Sequence, residues 1–270
     1  MGLSAIDEWA IVSDGGQVKP VLKILFGAIL FCGFAWLGWW IWQGDGETFS
    51  VMIRGEKLPE PDPARYEVLV SELERWQQEL GARYQSAATD REREAIEHDA
   101  RVILELVMPE MMYCWLGTGY DFNGTAEKPG EGPVACGYFV STVIRDAGFK
   151  VNRYKLAQQP SGNIMRTFLP KAACQLKVGA DYDSYVDWLE GMRPGIYLIG
   201  LDTHVGFIIN EGSGIKFIHS SGSGPYGVVA QKREKATALK VSNWRMIGSF
   251  SSDAGVIRTW LRRETVKVKN

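Results

Sequence analysis

The stretch His204-Val205-Gly206-Phe207-Ile208-Ile209-Asn210-Glu211-Gly212-Ser213-Gly214-Ile215-Lys216-Phe217-Ile218-His219-Ser220 decides how this chain is read. Two short runs, apolar and β-branched, flank a glycine-rich turn, which is the pattern of an antiparallel hairpin. A tight turn at Gly212-Ser213 sets residue 211 against 214. The register then carries 206 against 219 and 204 against 221. Residues 204 and 206 point to one face of a strand. His204, which begins the first strand, and His219, which ends the second, therefore share that face as diagonal neighbours, roughly 7–8 Å apart at the backbone. One residue of slip would separate them. Only three histidines occur in the chain, so two on one face of an apolar hairpin point to a site.

Outward from the hairpin, residues 195–200 read as a preceding strand, and 227–230 and 238–250 as later ones. Residues 253–263 read as a short C-terminal helix. Upstream the texture is helical. Asp62-Pro63 is a cap residue followed by proline at the first helical position. Tyr66, Leu69, Val70, Leu73, Trp76 and Leu80 follow at helical spacing, with Gly81 as the stop. Thr89-x-x-Glu92 opens a second helix with a capping box. Its stripe is Ile96, Ala100, Ile103 and Val107, and Pro109 bends or ends it. The two helices either close on each other as a hairpin or pack on the body that follows. Helices first and strands later predict an α+β fold.

Cys136 follows Gly130, Gly132 and Pro133, a segment that cannot be helical, and precedes the helical stripe Val140, Val143, Ile144, Ala147. It therefore sits at the first turn of a helix, where unpaired N–H groups and the dipole favour thiolate and could hold an oxyanion. A cysteine at a helix start is, taken alone, more often packing than catalysis. With His204 as base and His219 to orient it, the three parts of a nucleophilic triad are present. Asp202 and Asn210 are alternative third members, ranked below His219. A metal site from the same residues lacks a visible fourth ligand, and no cofactor is expected. His98, between Glu97 and Asp99, reads as a surface residue. Cys114 and Cys174 read as buried thiols, with a bridge between them open if the body is exported.

The 270 residues carry a net charge of −2, and no basic stripe suggests nucleic acid. Val21 to Trp42 is long and apolar enough to span a bilayer, and Trp36, Trp39, Trp40 and Trp42 fit an interfacial belt. No small-x-small cleavage site follows it, and Phe31 before Cys32 argues against lipidation, so a retained anchor is expected. Lys19 and Lys23 flank its N-terminal end, which predicts a single-pass protein of the inner membrane with its body outside the cytoplasm. The expected divisions are a tail 1–20, a transmembrane helix 21–42, a linker 43–61, a helical region 62–112, a body 113–250, and a C-terminal helix and tail 251–270.

Leu116-Gly117-Thr118-Gly119-Tyr120-Asp121-Phe122-Asn123-Gly124, then Ala135-Cys136-Gly137-Tyr138-Phe139-Val140, resembles the NlpC/P60 family pattern, in which a "G-T-x-Y-x-W-G-G" segment precedes "D-C-S-G-F-V" at a helix start. Arg193-Pro194-Gly195-Ile196-Tyr197 resembles its "P-G-D-L", His204-Val205-Gly206 its "H-V-G-I", and Phe217-Ile218-His219-Ser220 its "F-I-H-A". The resemblance runs in order over about residues 113 to 230. It implies a papain-like α+β fold, Cys136 as nucleophile, His204 as base, His219 as its orienting partner, and Tyr120 beside the nucleophile positioning substrate. It further implies a peptidoglycan stem peptide as the substrate partner. Two departures bear on that substrate. Ala135 and Gly137 stand where the family has Asp and Ser, which help hold a free amine. Residues 151–192 match nothing in the pattern and read as a lid or a substrate wall. Two further readings stand beside the wall hydrolase: a thiol amidase or acyltransferase on a non-wall substrate, and a catalytically degenerate, membrane-tethered binding module.

Overall fold

The computed structural model describes residues 58–270. The expected tail, the transmembrane segment 21–42 and most of the linker lie outside the described residues. Among the described residues no helix is long and apolar enough to cross a membrane.

Helix α1 spans Pro63–Ser86 and α2 spans Asp90–Cys114. Asp62 caps α1 by accepting from the Arg65 N–H at 2.9 Å. The capping box on α2 is complete: Thr89 Oγ1 accepts from Glu92 N, and Glu92 Oε2 accepts from Thr89 N. One local expectation is corrected, and one of two alternatives is excluded. Gly81 does not stop α1, which continues to Ser86. It lies where α1 meets a later helix, and a Cβ there would come within 2.7 Å of the Leu261 carbonyl oxygen. Glycine is present for close approach, not for a cap. Pro109 does not end α2, which runs on to Cys114.

Then come α3 (Cys136–Asp146), β1 (Lys150–Val151), α4 (Arg153–Ala157), α5 (Ser161–Phe168), a 3-10 turn at Lys171–Ala173, β2 (Gln175–Val178) and α6 (Tyr182–Glu190). The strands β3 (Gly195–Leu201), β4 (Val205–Asn210), β5 (Ile215–Ser221) and β6 (Gly227–Gln231) follow. The chain closes with α7 (Thr237–Val241), β7 (Trp244–Ser249), α8 (Ala254–Leu261) and β8 (Thr265–Val266). The result is a mixed α+β fold, as expected. A six-stranded antiparallel sheet has the order β2-β7-β3-β4-β5-β6, and β1 pairs with β8 in parallel. Residues 238–250, expected as strand throughout, divide into α7 and β7. Residues 151–192 contain an edge strand, three helices and a 3-10 turn.

Alternation along the sheet strands feeds two cores. Ile196, Leu198, Val205, Phe207, Ile209 and Ile218 join the stripes of α1, α2 and α3 on one side. Tyr197, Ile199, Ile208, Phe217 and Ile247 meet Tyr185, Val186 and Leu189 of α6 and Leu239 of α7 on the other. With both faces covered, the strands read as continuous apolar runs. The α1–α2 pair is thus both a hairpin and a layer of the body. Its buried Gln77 donates to the carbonyls of Gly148 and Trp260, at 3.1 and 2.9 Å. Trp260 Nε1 donates to the Ala147 carbonyl at 2.6 Å. Together these bonds hold the C-terminal end of α3. The described end of the linker is also docked: a Cβ at Gly117 would strike the Pro59 carbonyl oxygen.

Candidate active site

Cys136 is the first residue of α3, with Ala135 as its N-cap. The approach to it is pinned on both flanks. Val134 N donates to the Gly119 carbonyl and Ala135 N to the Gly124 carbonyl, each at 2.9 Å. Ser220 Oγ on β5 donates to the Val134 carbonyl at 2.5 Å. The start of α3 is therefore fixed to the strand that carries His219.

The hairpin register is the expected one. Asn210 pairs with Ile215 and Phe207 with Ile218, and Glu211 N donates to Gly214 O at 3.0 Å. Residue 206 faces 219: a Cβ at Gly206 would fall 2.9 Å from His219 Cβ. One detail differs. His204 precedes β4 instead of opening it, and its carbonyl accepts from Leu201 N at 2.8 Å. Pairing of β4 with β5 ends at Phe207–Ile218. Just beyond, the N–H of Val205 acts on the Cys136 sulfur. The thiol thus sits beside the backbone of the residue that follows His204.

His204 Nε2 lies 2.6 Å from His219 Nδ1. The two rings are perpendicular, 4.7 Å between centroids, and His219 stacks on Phe217 at 4.0 Å. Behind them, His219 Nε2 is 2.9 Å from the amide oxygen of Gln231 on β6. Burial holds both histidines well below the usual value, and for His204 the neighbouring His219 ring adds to it. Burial pushes the Cys136 thiol up, opposed by the N–H groups of Val205, Gly137 and Cys136 itself. At neutral pH the resting pair is a thiol and an uncharged imidazole.

Tyr120 joins the site. Burial raises its phenol pKa first, and the neighbouring Cys136 and Asp121 raise it further. Its ring lies over Gly222, where a Cβ would come within 2.7 Å of Tyr120 Cζ. The alternative third members are employed elsewhere. Asp202 accepts from Ser242 Oγ and from the N–H groups of Asn243 and Trp244. Asn210 Nδ2 donates to the carbonyls of Leu189 and Met192. His98 is exposed. Cys114 and Cys174 are free thiols, so the bridge held open between them is not formed.

Two residues escaped the sequence reading. Gln231 closes an apolar strand, and its register against Phe217 puts it on the histidine face. A polar residue ending Gly227-Val228-Val229-Ala230 was the available signal. Arg153 on α4 is buried. It donates to Thr142 Oγ1 on α3 at 2.6 Å and to the carbonyls of Thr125 and Ala126. Its guanidinium also lies 5.0 and 5.1 Å from the rings of Tyr138 and Tyr154. Arg153 ties α4 to α3, and nothing in the sequence marked it. This packing has a consequence at Gly137, where a Cβ would lie 2.3 Å from the Ala157 carbonyl oxygen.

Compared with protein-family profiles, curated proteins and solved structures, the chain matches none.

Proposed function

We propose that this chain is a cysteine hydrolase that cleaves an amide bond through an acyl-enzyme on Cys136. The observation that carries this reading is the 2.6 Å contact between His204 and His219 beside a thiol at the first residue of a helix. In the proposed cycle the Cys136 thiol proton passes to His204. The sulfur forms a bond to the substrate carbonyl carbon, and the carbonyl oxygen takes the electron pair. In this cycle the N–H groups at the start of α3, which bear on the Cys136 sulfur in the resting site, receive that oxyanion. The C–N bond then breaks, and His204 returns its proton to the leaving amine. Water attacks the thioester with His204 as base, releasing the acid and restoring the thiol. Tyr120 borders the acyl position.

The substrate class we propose is the peptidoglycan stem peptide, reached by a papain-like, NlpC/P60-type body held outside the inner membrane by residues 21–42. The order of the motifs from Tyr120 to His219 supports it. Gly137 favours a second reading, a non-wall acyl substrate. With the Ala157 carbonyl against it, no polar side chain fits on that flank of Cys136 to hold a free amine. A degenerate binding module is the weaker alternative, because Cys136, His204 and His219 are all present and the two histidines are in contact.

Two measurements test the proposal. A cysteine-directed electrophile should modify Cys136, more slowly after His204→Ala. Purified wall fragments incubated with the protein should yield new amine ends, detected by mass spectrometry. Modification without wall cleavage would move the substrate to the non-wall class. Failure of both would leave the binding module.

A further inference from the structure

We propose that Gln231 is a positioning residue that fixes the tautomers of both site histidines, leaving His204 Nδ1 as the bare, proton-accepting nitrogen. Its catalytic consequence rests on the hydrolase reading, but the tautomers themselves do not.

The hydrogen bonds run inward from Gln231 to His204. An amide oxygen only accepts. With Gln231 Oε1 at 2.9 Å, His219 Nε2 must carry a hydrogen. A neutral imidazole carries one, so His219 Nδ1 is an acceptor. The atom facing it at 2.6 Å is His204 Nε2, which must then donate. His204 Nδ1 is left with its lone pair free. Both rings are therefore Nε2–H tautomers. If the amide were turned over, every bond would reverse, and His204 Nδ1 would carry a hydrogen and could not act as base. Gln231 is buried, at 9% exposure, and it is its amide oxygen, not its nitrogen, that faces His219 Nε2.

The anchor is also uncharged. The groups acting on the two rings are each other and Gln231, with no carboxylate or cation among them. The remaining titratable groups of the site are the Cys136 thiol and the Tyr120 phenol, both shifted toward their neutral forms. A carboxylate at 231 would accept the same hydrogen but would stabilise a protonated ring pair. The amide orders the tautomers without drawing a proton into the pair.

The experiment uses the full chain, purified in detergent and labelled with nitrogen-15 at histidine. Only three rings contribute, and the exposed His98 is assigned by His98→Gln. Long-range proton–nitrogen spectra at neutral pH should show Nε2–H for His204 and for His219. An Nδ1–H form at either ring overturns the proposal. Gln231→Leu should mix the tautomers and slow iodoacetamide modification of Cys136 by about ten- to a hundredfold. Gln231→Glu should keep the tautomer order and most of the rate, with the acid limb of the rate–pH profile moved to higher pH. Unchanged tautomers and rate in Gln231→Leu would also overturn the assignment. If His204→Ala leaves the Cys136 rate unchanged, the hydrolase reading fails, while the spectra still decide the role of Gln231.

Discussion

Burial raises all three described thiols above the usual cysteine value, Cys114 to about 11. Cys136 differs in having N–H groups directed at its sulfur, among them that of Val205, the residue after His204. In the folded protein iodoacetamide should therefore modify Cys136 before Cys114 and Cys174. Faster modification of either of the others, mapped by mass spectrometry, would unseat the nucleophile. Across variants the Cys136 rate should fall in the order wild type, His219→Ala, His204→Ala, because losing an orienting group leaves more activity than losing the base. His219→Asn should exceed His219→Ala, since its amide oxygen can still accept from His204 Nε2. The two histidines were legible because a strand has period two and a short turn leaves little freedom of register. Gln231 was not legible, because its partner is set by the pairing of β6 with β5, across the longer 222–226 loop. Gly137 read as a missing serine, and only the packing of α4 shows why no side chain fits there. Gly137→Ser should cost about 1–3 kcal/mol by overpacking, seen as a lowered melting temperature with secondary structure retained. An unchanged melt would show that α4 yields easily.

Helix ends were the most readable elements, because capping is local chemistry. Asp62 and Thr89 cap α1 and α2 as their sequence patterns require. Thr89→Ala should cost about 1 kcal/mol in denaturant unfolding. Gly81 is the instructive opposite. In an open helix interior, Gly→Ala stabilises by roughly 0.5–1 kcal/mol. Here the added Cβ meets the Leu261 carbonyl oxygen at 2.7 Å, so Gly81→Ala should destabilise, and a rise in stability would show that α8 moves aside freely. That contact joins residues 180 positions apart, beyond the reach of any local pattern. The same limit explains α7: Thr237–Val241 is apolar and β-branched enough to pass for strand, but tertiary packing makes it one helical turn that places Leu239 in the α6-side core.

The whole described body shares its apolar layers, so its stability should register the state of the site. Both histidines are held below their ordinary value by burial. Below about pH 6.5, the unfolded chain takes up protons that the folded rings refuse. Their contribution is therefore fully present above that pH and is lost progressively on acidification. Urea midpoints should fall from neutral pH toward mildly acid pH, and less steeply in His219→Gln, whose side chain does not titrate. Equal slopes would mean that the pair is not buried as described. At the level of topology, the proposed export predicts an active alkaline phosphatase fused after residue 270, whereas a well-expressed but inactive fusion would put the body in the cytoplasm. The α+β class was legible from the order of helices and strands. The sheet order was not, because β7 inserts between β2 and β3 and no local pattern announces an insertion. That insertion has a consequence for synthesis. A nascent chain that has emerged as far as Gln231 already holds every residue of the site, yet the edge of β3 that β7 will cover is still bare. Until residues 244–249 arrive, that strand, with Ile196, Leu198 and Ile199, is a template for pairing with another chain. Ribosomes stalled in this interval, or products cut short there, should be the sticky ones and the natural clients of a holding chaperone.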